Sequence, residues 1–165
     1  MREINFKELS FNPMTMVGED WLALTAGTKD SGFNSMTCSW GHMGNIWGKP
    51  SIVVYVRPQR YTKEFVDRED LFTVCFFDDH KKELSYIGSH SGKDEDKISA
   101  AGLTPVFEDG ITYFKEAKLV FVCRKLYRST LQEDGFICKD TVERCYPEKD
   151  FHDMYVGEIV KVLAE

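Results

Sequence analysis

Three cations, Arg57, Arg60 and Lys63, fall within seven positions of an otherwise acidic chain, and Gln59, Tyr61 and Thr62 add amide and hydroxyl groups between them. Pro58 bars Arg57 from the helical region, so the chain stays extended there and turns through Gln59-Arg60-Tyr61 before Thr62 can cap a helix over KEFVDRE. The start of a helix presents unpaired N–H groups and the positive end of the peptide dipoles. With no acid among the neighbouring loop residues, the segment has the composition of an anion site. Its plainer alternative is a solvated surface run with an ordinary cap.

The preceding segment supplies a second set of groups. Asn34, Ser35, Met36, Thr37, Cys38, Ser39 and Trp40 form a strand-like run in which a period of two sends Asn34, Met36, Cys38 and Trp40 to one face and the hydroxyls to the other. Gly41 to Gly48 then reads as a glycine-rich turn carrying Trp47, Met43 and His42 to the strand mouth, where a flat ring could stack. If this strand and the apolar strand Ser51 to Val56 are neighbours in one sheet, the two sets face a phosphate-bearing aromatic ligand. Met36 and Trp40 are equally compatible with a plain core, and the aromatic turn with a dimer surface.

The elements that must position these groups are mostly strands. Runs rich in β-branched and aromatic residues occupy about 20–26, 35–41, 51–57, 71–77, 103–107, 111–114, 117–127, 140–145 and 152–163, with helical patterns at 62–69 and at 79–100, the latter broken around Gly88 to Gly92. Residues 110–128 alternate apolar and polar positions, as antiparallel strands with one buried face do. The pattern predicts a single domain over 1–165, mainly β with inserted helices, closed as a barrel and not as a parallel βαβ sheet.

Composition narrows the partners. A net charge of -6 disfavours nucleic acid, and no apolar run is long enough for a bilayer span. The charged N-terminus lacks the apolar core of a signal peptide, so a cytoplasmic location is expected. Five cysteines without a C-x-x-C pair read as reduced, mostly buried thiols, Cys38 among them with a structural role. No metal site is expected, because the four histidines and the cysteines stand at no ligand spacing. Neither a G-x-G-x-x-G after a strand, a G-x-S-x-G elbow nor an H-E-x-x-H helix is present, which leaves His152 as the one candidate proton donor or orienting group; a strand-edge histidine bonded to backbone is its plainer reading.

In order along the chain, N-S-M-T-C-S-W, K-P, V-R-P-Q-R-Y-T-K-E-F-V, S-G-K-D-E-D-K-I-S at 91–99 and H-D-M-Y-V-G-E-I-V at 152–160 resemble the flavin reductase-like, FMN-binding split-barrel family, in particular its flavoredoxin-like branch. The resemblance implies a Greek-key-like antiparallel split barrel and a homodimer with non-covalent FMN at the subunit interface. It places Asn34, Met36, Thr37, Ser39 and Trp40 on the flavin-contacting strand and Arg57, Gln59, Arg60, Tyr61 and Thr62 on the phosphate loop. It adds Lys97, with Ser91 and Lys93, near the cofactor, sets His152 beside the flavin and has Gly157 keep the last strand closely packed. The turn at 41–45 and Cys38 depart from the alanines or valines of many members.

The implied activity is transfer of hydride or electrons from a nicotinamide nucleotide through FMN to a flavin or another acceptor. Two alternatives stand beside it: an electron-transfer protein charged by a redox-protein donor, and a ligand-binding module without catalysis.

Overall fold

The strand Leu71–Phe77, LFTVCFF, shows how the sheet is built. Phe72, Val74 and Phe76 belong to one apolar cluster and Cys75 and Phe77 to a second, so both faces of the strand are covered and its apolar run is continuous. In the computed structural model, which describes residues 1–165, this strand is β6 of ten. The others are β1 (Arg2–Ile4), β2 (Leu22–Thr28), β3 (Gly32–Cys38), β4 (Gly41–Ile46), β5 (Lys49–Val56), β7 (Pro105–Glu108), β8 (Ile111–Phe114), β9 (Ala117–Thr130) and β10 (Asp153–Ala164). Five α-helices punctuate them: α1 (Pro13–Thr15), α2 (Thr62–Arg68), α3 (Lys81–Ser89), α4 (Lys97–Ala100) and α5 (Lys139–Cys145).

Eight strands form one antiparallel sheet in the order β3-β2-β6-β9-β10-β5-β4, with β1 added on β10, while β7 and β8 make a separate hairpin. The inner apolar cluster draws on Leu24 of β2, Met36 and Cys38 of β3, Val54 of β5, Phe121 of β9 and Tyr155 of β10. Strands near opposite ends of the sheet share one interior, so the sheet is rolled, and its unpaired edges β3 and β4 leave it split. The outer cluster lies under α3 and the β7–β8 hairpin, through Leu84, Ile87 and Phe114.

Gly157 is where β10 can cross β6 and β9 closely. A Cβ there would stand 2.4 Å from Phe72 Cζ and 2.8 Å from Cys123 Cβ. The register of β9 against β10 also shifts between Val156 and Gly157.

Four expectations are corrected. The β3 and β5 strands are not sheet neighbours; they approach across the opening of the roll. Residues 41–46 are not a turn but the edge strand β4, paired to β5 through the two-residue turn Trp47-Gly48, whose φ values of 54° and 72° are those of a tight hairpin. Residues 140–145 are helix α5 and not a strand. Thr141 and Val142 favour extended structure locally, but Arg57 reaches from the end of β5 to donate to the Cys145 carbonyl at the helix C-terminus, 2.8 Å away. The fourth concerns Thr62: Tyr61 holds the capping position, and Thr62 is the first helical residue.

Candidate functional site

At the mouth of the split, Met36, Thr37, Cys38, Ser39 and Trp40 line a cavity of about 190 Å³ together with Tyr55, Arg57 and His152. Period-two geometry sends alternate members of this run to opposite faces. Met36 and Cys38 point into the barrel, while Thr37 points the other way and donates to the Leu84 carbonyl of α3. Trp40 is 46% exposed and its ring lies 5.1 Å from the His152 imidazole. Next to this cavity is a larger one of about 600 Å³ that shares Ser39, Trp40 and Tyr55 and continues to His42, Met43 and Tyr146.

The groups of the basic loop and its neighbours are engaged in three different ways. Asn34 and Thr62 are buried together, the Asn34 amide donating to the Thr62 hydroxyl at 2.9 Å. Gly92 packs on this pair so tightly that a Cβ would stand 2.4 Å from Asn34 Oδ1. Arg60 donates to the Gly88 carbonyl at 2.8 Å, and Lys97, buried, donates to the carbonyls of Ile87 and His90 at 2.7 and 3.0 Å. Two cations thus cap the end of α3 beside Thr62. Burial, with the Arg60 charge nearby, pushes the Lys97 amine down to about 8.

Arg57 turns towards the segment before β10. It pairs with Asp150, donates to the Cys145 carbonyl and lies 5.2 Å over the Tyr146 ring. Gln59 donates to the same Asp150 carboxylate at 2.8 Å. Tyr61 packs edge-on against Phe65 at 5.0 Å, with the Lys93 amine 4.9 Å over its ring. Lys93 also pairs with Glu64 at 2.6 Å, and the Ser91 hydroxyl accepts from the Lys93 amide.

Two of the three cations are therefore compensated, contrary to expectation: Arg57 by Asp150, distant in sequence, and Lys63 by Asp67 one helical turn on and by distant Asp153, while Arg60 meets only the Gly88 carbonyl. Lys63 meets Asp67 at 2.5 Å and Asp153 at 2.9 Å, and Arg128 meets Asp153 at 2.8 Å. Burial would raise the Asp153 carboxyl, but bonds from Thr130, Lys63 and Arg128 hold it below the usual carboxylate range.

His152 is buried, and its Nδ1 lies 2.8 Å from the Tyr146 hydroxyl. Burial and the positive charge of Arg57 push the imidazole down to about 4, so it is neutral at pH 7. Cys38 is part of the core, and burial pushes its thiol up to about 12, which makes it inert at neutral pH. Tyr55, Tyr146 and Asp150 were not singled out by the sequence. Tyr55 shares its strand face with Arg57, a signal that period-two reading could have used; Tyr146 and Asp150 join the site only through the path of the 131–152 excursion.

The arrangement can hold a planar ring against Trp40, Tyr55 and the β3 residues, and Arg60 lines a separate polar cavity of about 640 Å³ with Lys63 and Lys93. The donor set suits a flavin nucleotide: hydroxyl, amide and guanidinium donors stand beside an aromatic-walled cavity.

The family model described as flavin reductase like domain matches residues 21–165, and the chain belongs to that family. Solved structures with the same fold include flavoredoxin of Desulfovibrio vulgaris (22% identity, TM-score 0.67, covering 88% of this chain and 69% of that one). An FMN-binding protein from Thermus thermophilus with bound p-hydroxybenzaldehyde aligns at 20% identity and TM-score 0.68, covering 100% and 82%. A protein of Shewanella frigidimarina with a split barrel domain aligns at 17% identity and TM-score 0.70, covering 96% and 76%. The rolled antiparallel sheet is this split barrel. Comparison with curated proteins gave no match. No helix is long and apolar enough to cross a membrane.

Proposed function

We propose that this chain is an FMN-dependent oxidoreductase that takes hydride from NADH or NADPH and passes electrons to a flavin or another small acceptor. The observation that carries the reading is the convergence of Trp40, Tyr55, Arg57 and His152 on one ring-sized cavity, beside the Asn34–Thr62 pair and the two cations capping α3. Membership of the flavin reductase-like family and likeness to a protein described as FMN-binding support it.

FMN, when bound, supplies a ring that accepts a hydride and returns electrons. The protein's part is orientation and electrostatics. Thr62, Arg60 and Lys97 would hold the phosphate, Lys97 keeping its two carbonyl bonds as it does so. Arg57 brings a positive charge to the cavity wall, where it stabilises negative charge gained on reduction. Neutral His152 offers a hydrogen-bonding edge, and the Trp40 and Tyr55 rings exclude water from one side.

The active form in this proposal is a cytoplasmic homodimer. Exposed Trp40, Ile46, Trp47 and Tyr127 gather apolar surface at and beside the β4–β5 hairpin next to the cavity, which favours a subunit contact there. The second reading, electron transfer from a protein donor, is favoured by the likeness to flavoredoxin. Anaerobic addition of NADH or NADPH to the FMN-loaded protein separates the two. The reductase reading predicts bleaching of the visible flavin band within turnover time; an unbleached band with either nucleotide rejects it.

A further inference from the structure

Tyr146 is the residue before a Pro-Glu-Lys turn, in a segment with no strand or helix of its own. It is 4% exposed and held from three sides. Phe151 and Phe136 pack on it at ring separations of 4.9 and 5.7 Å, the Arg57 guanidinium covers it at 5.2 Å, and its hydroxyl meets His152 Nδ1 at 2.8 Å. This is a site built for one bond.

The direction of that bond follows from the donor inventory. A phenol has one hydrogen, and the partner its oxygen has in the structure is Nδ1. At pH 7 the phenol keeps its hydrogen, and if its oxygen instead accepted from Nδ1–H that buried hydrogen would have no partner within the protein, so the phenol donates. Nδ1 must then be the unprotonated nitrogen, and the imidazole hydrogen sits on Nε2. No buried side-chain nitrogen or oxygen lacks a partner, and Nε2 makes no bond within the protein, so Nε2 opens on the cavity that His152 lines with Trp40, Tyr55 and Arg57.

We propose that Tyr146 is a positioning residue: through its hydroxyl it fixes His152 as the Nε2–H tautomer and aims that N–H into the ring cavity as a hydrogen-bond donor to the ring or to the second reactant. The proposal rests on the function reading above for its purpose, but not for its geometry. The charged groups around the pair are Arg57 at the end of β5, Arg60 on the loop, and Asp150 and Asp153 flanking His152. With burial first and the two arginines adding to it, the imidazole stays neutral across the physiological range, so the donor is present without a proton being taken up. A tautomer set by a partner's hydrogen bond is the usual way a histidine is readied for one role.

The test is nitrogen-15 NMR of flavin-free protein at pH 7. The chain has four histidines, so His152 is assigned by the signal missing in His152→Gln. The expected result is an unprotonated Nδ1 and a protonated Nε2 in the wild type, and a mixture of tautomers in Tyr146→Phe. A wild-type Nδ1–H tautomer overturns the proposal, as does a Tyr146→Phe spectrum with the Nε2–H tautomer still fixed. Should Tyr146→Phe not fold, the wild-type spectrum alone decides. With FMN bound, Tyr146→Phe is expected to lower kcat about tenfold at unchanged FMN affinity, with no further loss when combined with His152→Gln; additive losses overturn the proposal. Failure of the wild type to bind FMN would reject the function reading and leave the tautomer result standing.

Discussion

Gly92→Ala probes the junction between β3 and the basic loop at 57–62. The glycine's φ is not in the left-handed region, so alanine brings no backbone strain; what it brings is a methyl 2.4 Å from Asn34 Oδ1, 3.1 Å from its Cγ and 3.4 Å from Tyr61 Cδ1. The Asn34 amide has to move, and its bond to Thr62 at 2.9 Å breaks inside a region where both residues are buried. A buried amide left unpaired costs about 1–3 kcal/mol, and overpacking adds about 1–3 kcal/mol. Partial relaxation brings the expected loss to about 2–4 kcal/mol, or roughly 5–15 °C in Tm for a domain of this size. Thermal unfolding followed by circular dichroism reads the stability, and a fluorescence titration reads FMN affinity, which falls with it. The cost is expected to shrink by at least half in an Asn34→Ala background, where the obstructing amide is absent. A Gly92→Ala protein within about 1 °C of wild type, or an equal cost in both backgrounds, would refute the reasoning.

Gly157→Ala drives a methyl against Phe72 and the Cys123 Cβ and is expected to destabilise by about 2–4 kcal/mol in urea unfolding; a neutral effect would mean β10 can shift freely. Because His152 binds its proton at about 4 when folded and near 6.5 when unfolded, its contribution is full above pH 6.5, is lost as pH falls towards 4 and changes no further below that. The loss is about 1–2 kcal/mol after allowance for solvent screening, and His152→Gln should flatten that part of the stability–pH curve. Alkylation of the folded protein near pH 8 should label exposed Cys138, whose thiol a Thr141 hydrogen bond holds below its ordinary value, and spare buried Cys38, as peptide mass analysis would read.

What the sequence could reveal depended on range. The β6 strand was legible because both of its faces are buried, so seven residues carry the signal without reference to any partner. The break in the second helical region likewise sits between α3 and α4 as expected, near Gly88 to Gly92. The β4 strand was hidden because Gly41 and Gly44 read locally as a turn, whereas its strand character comes from six pairings with β5. The α5 helix was hidden for the converse reason: β-branched residues read as a strand, and the contact that holds the helix end comes from Arg57, 88 positions away. In the candidate site, the polar strand and the basic loop were legible as chemistry and as partners, but as sheet neighbours, which they are not. Their meeting at one cavity, and the acids Asp150 and Asp153 that pair the loop's cations, come from the rolling of the sheet.

Titration of purified protein with FMN, wild type against the Arg57→Gln, Thr62→Val double variant, tests the central claim most directly. Charge-assisted and buried hydroxyl bonds of this kind are each worth about 1.5–3 kcal/mol. The account predicts one FMN per chain for the wild type and an affinity at least about a hundredfold weaker for a double variant that remains folded. Equal affinity in the two proteins, or a wild type that binds no FMN, would contradict it.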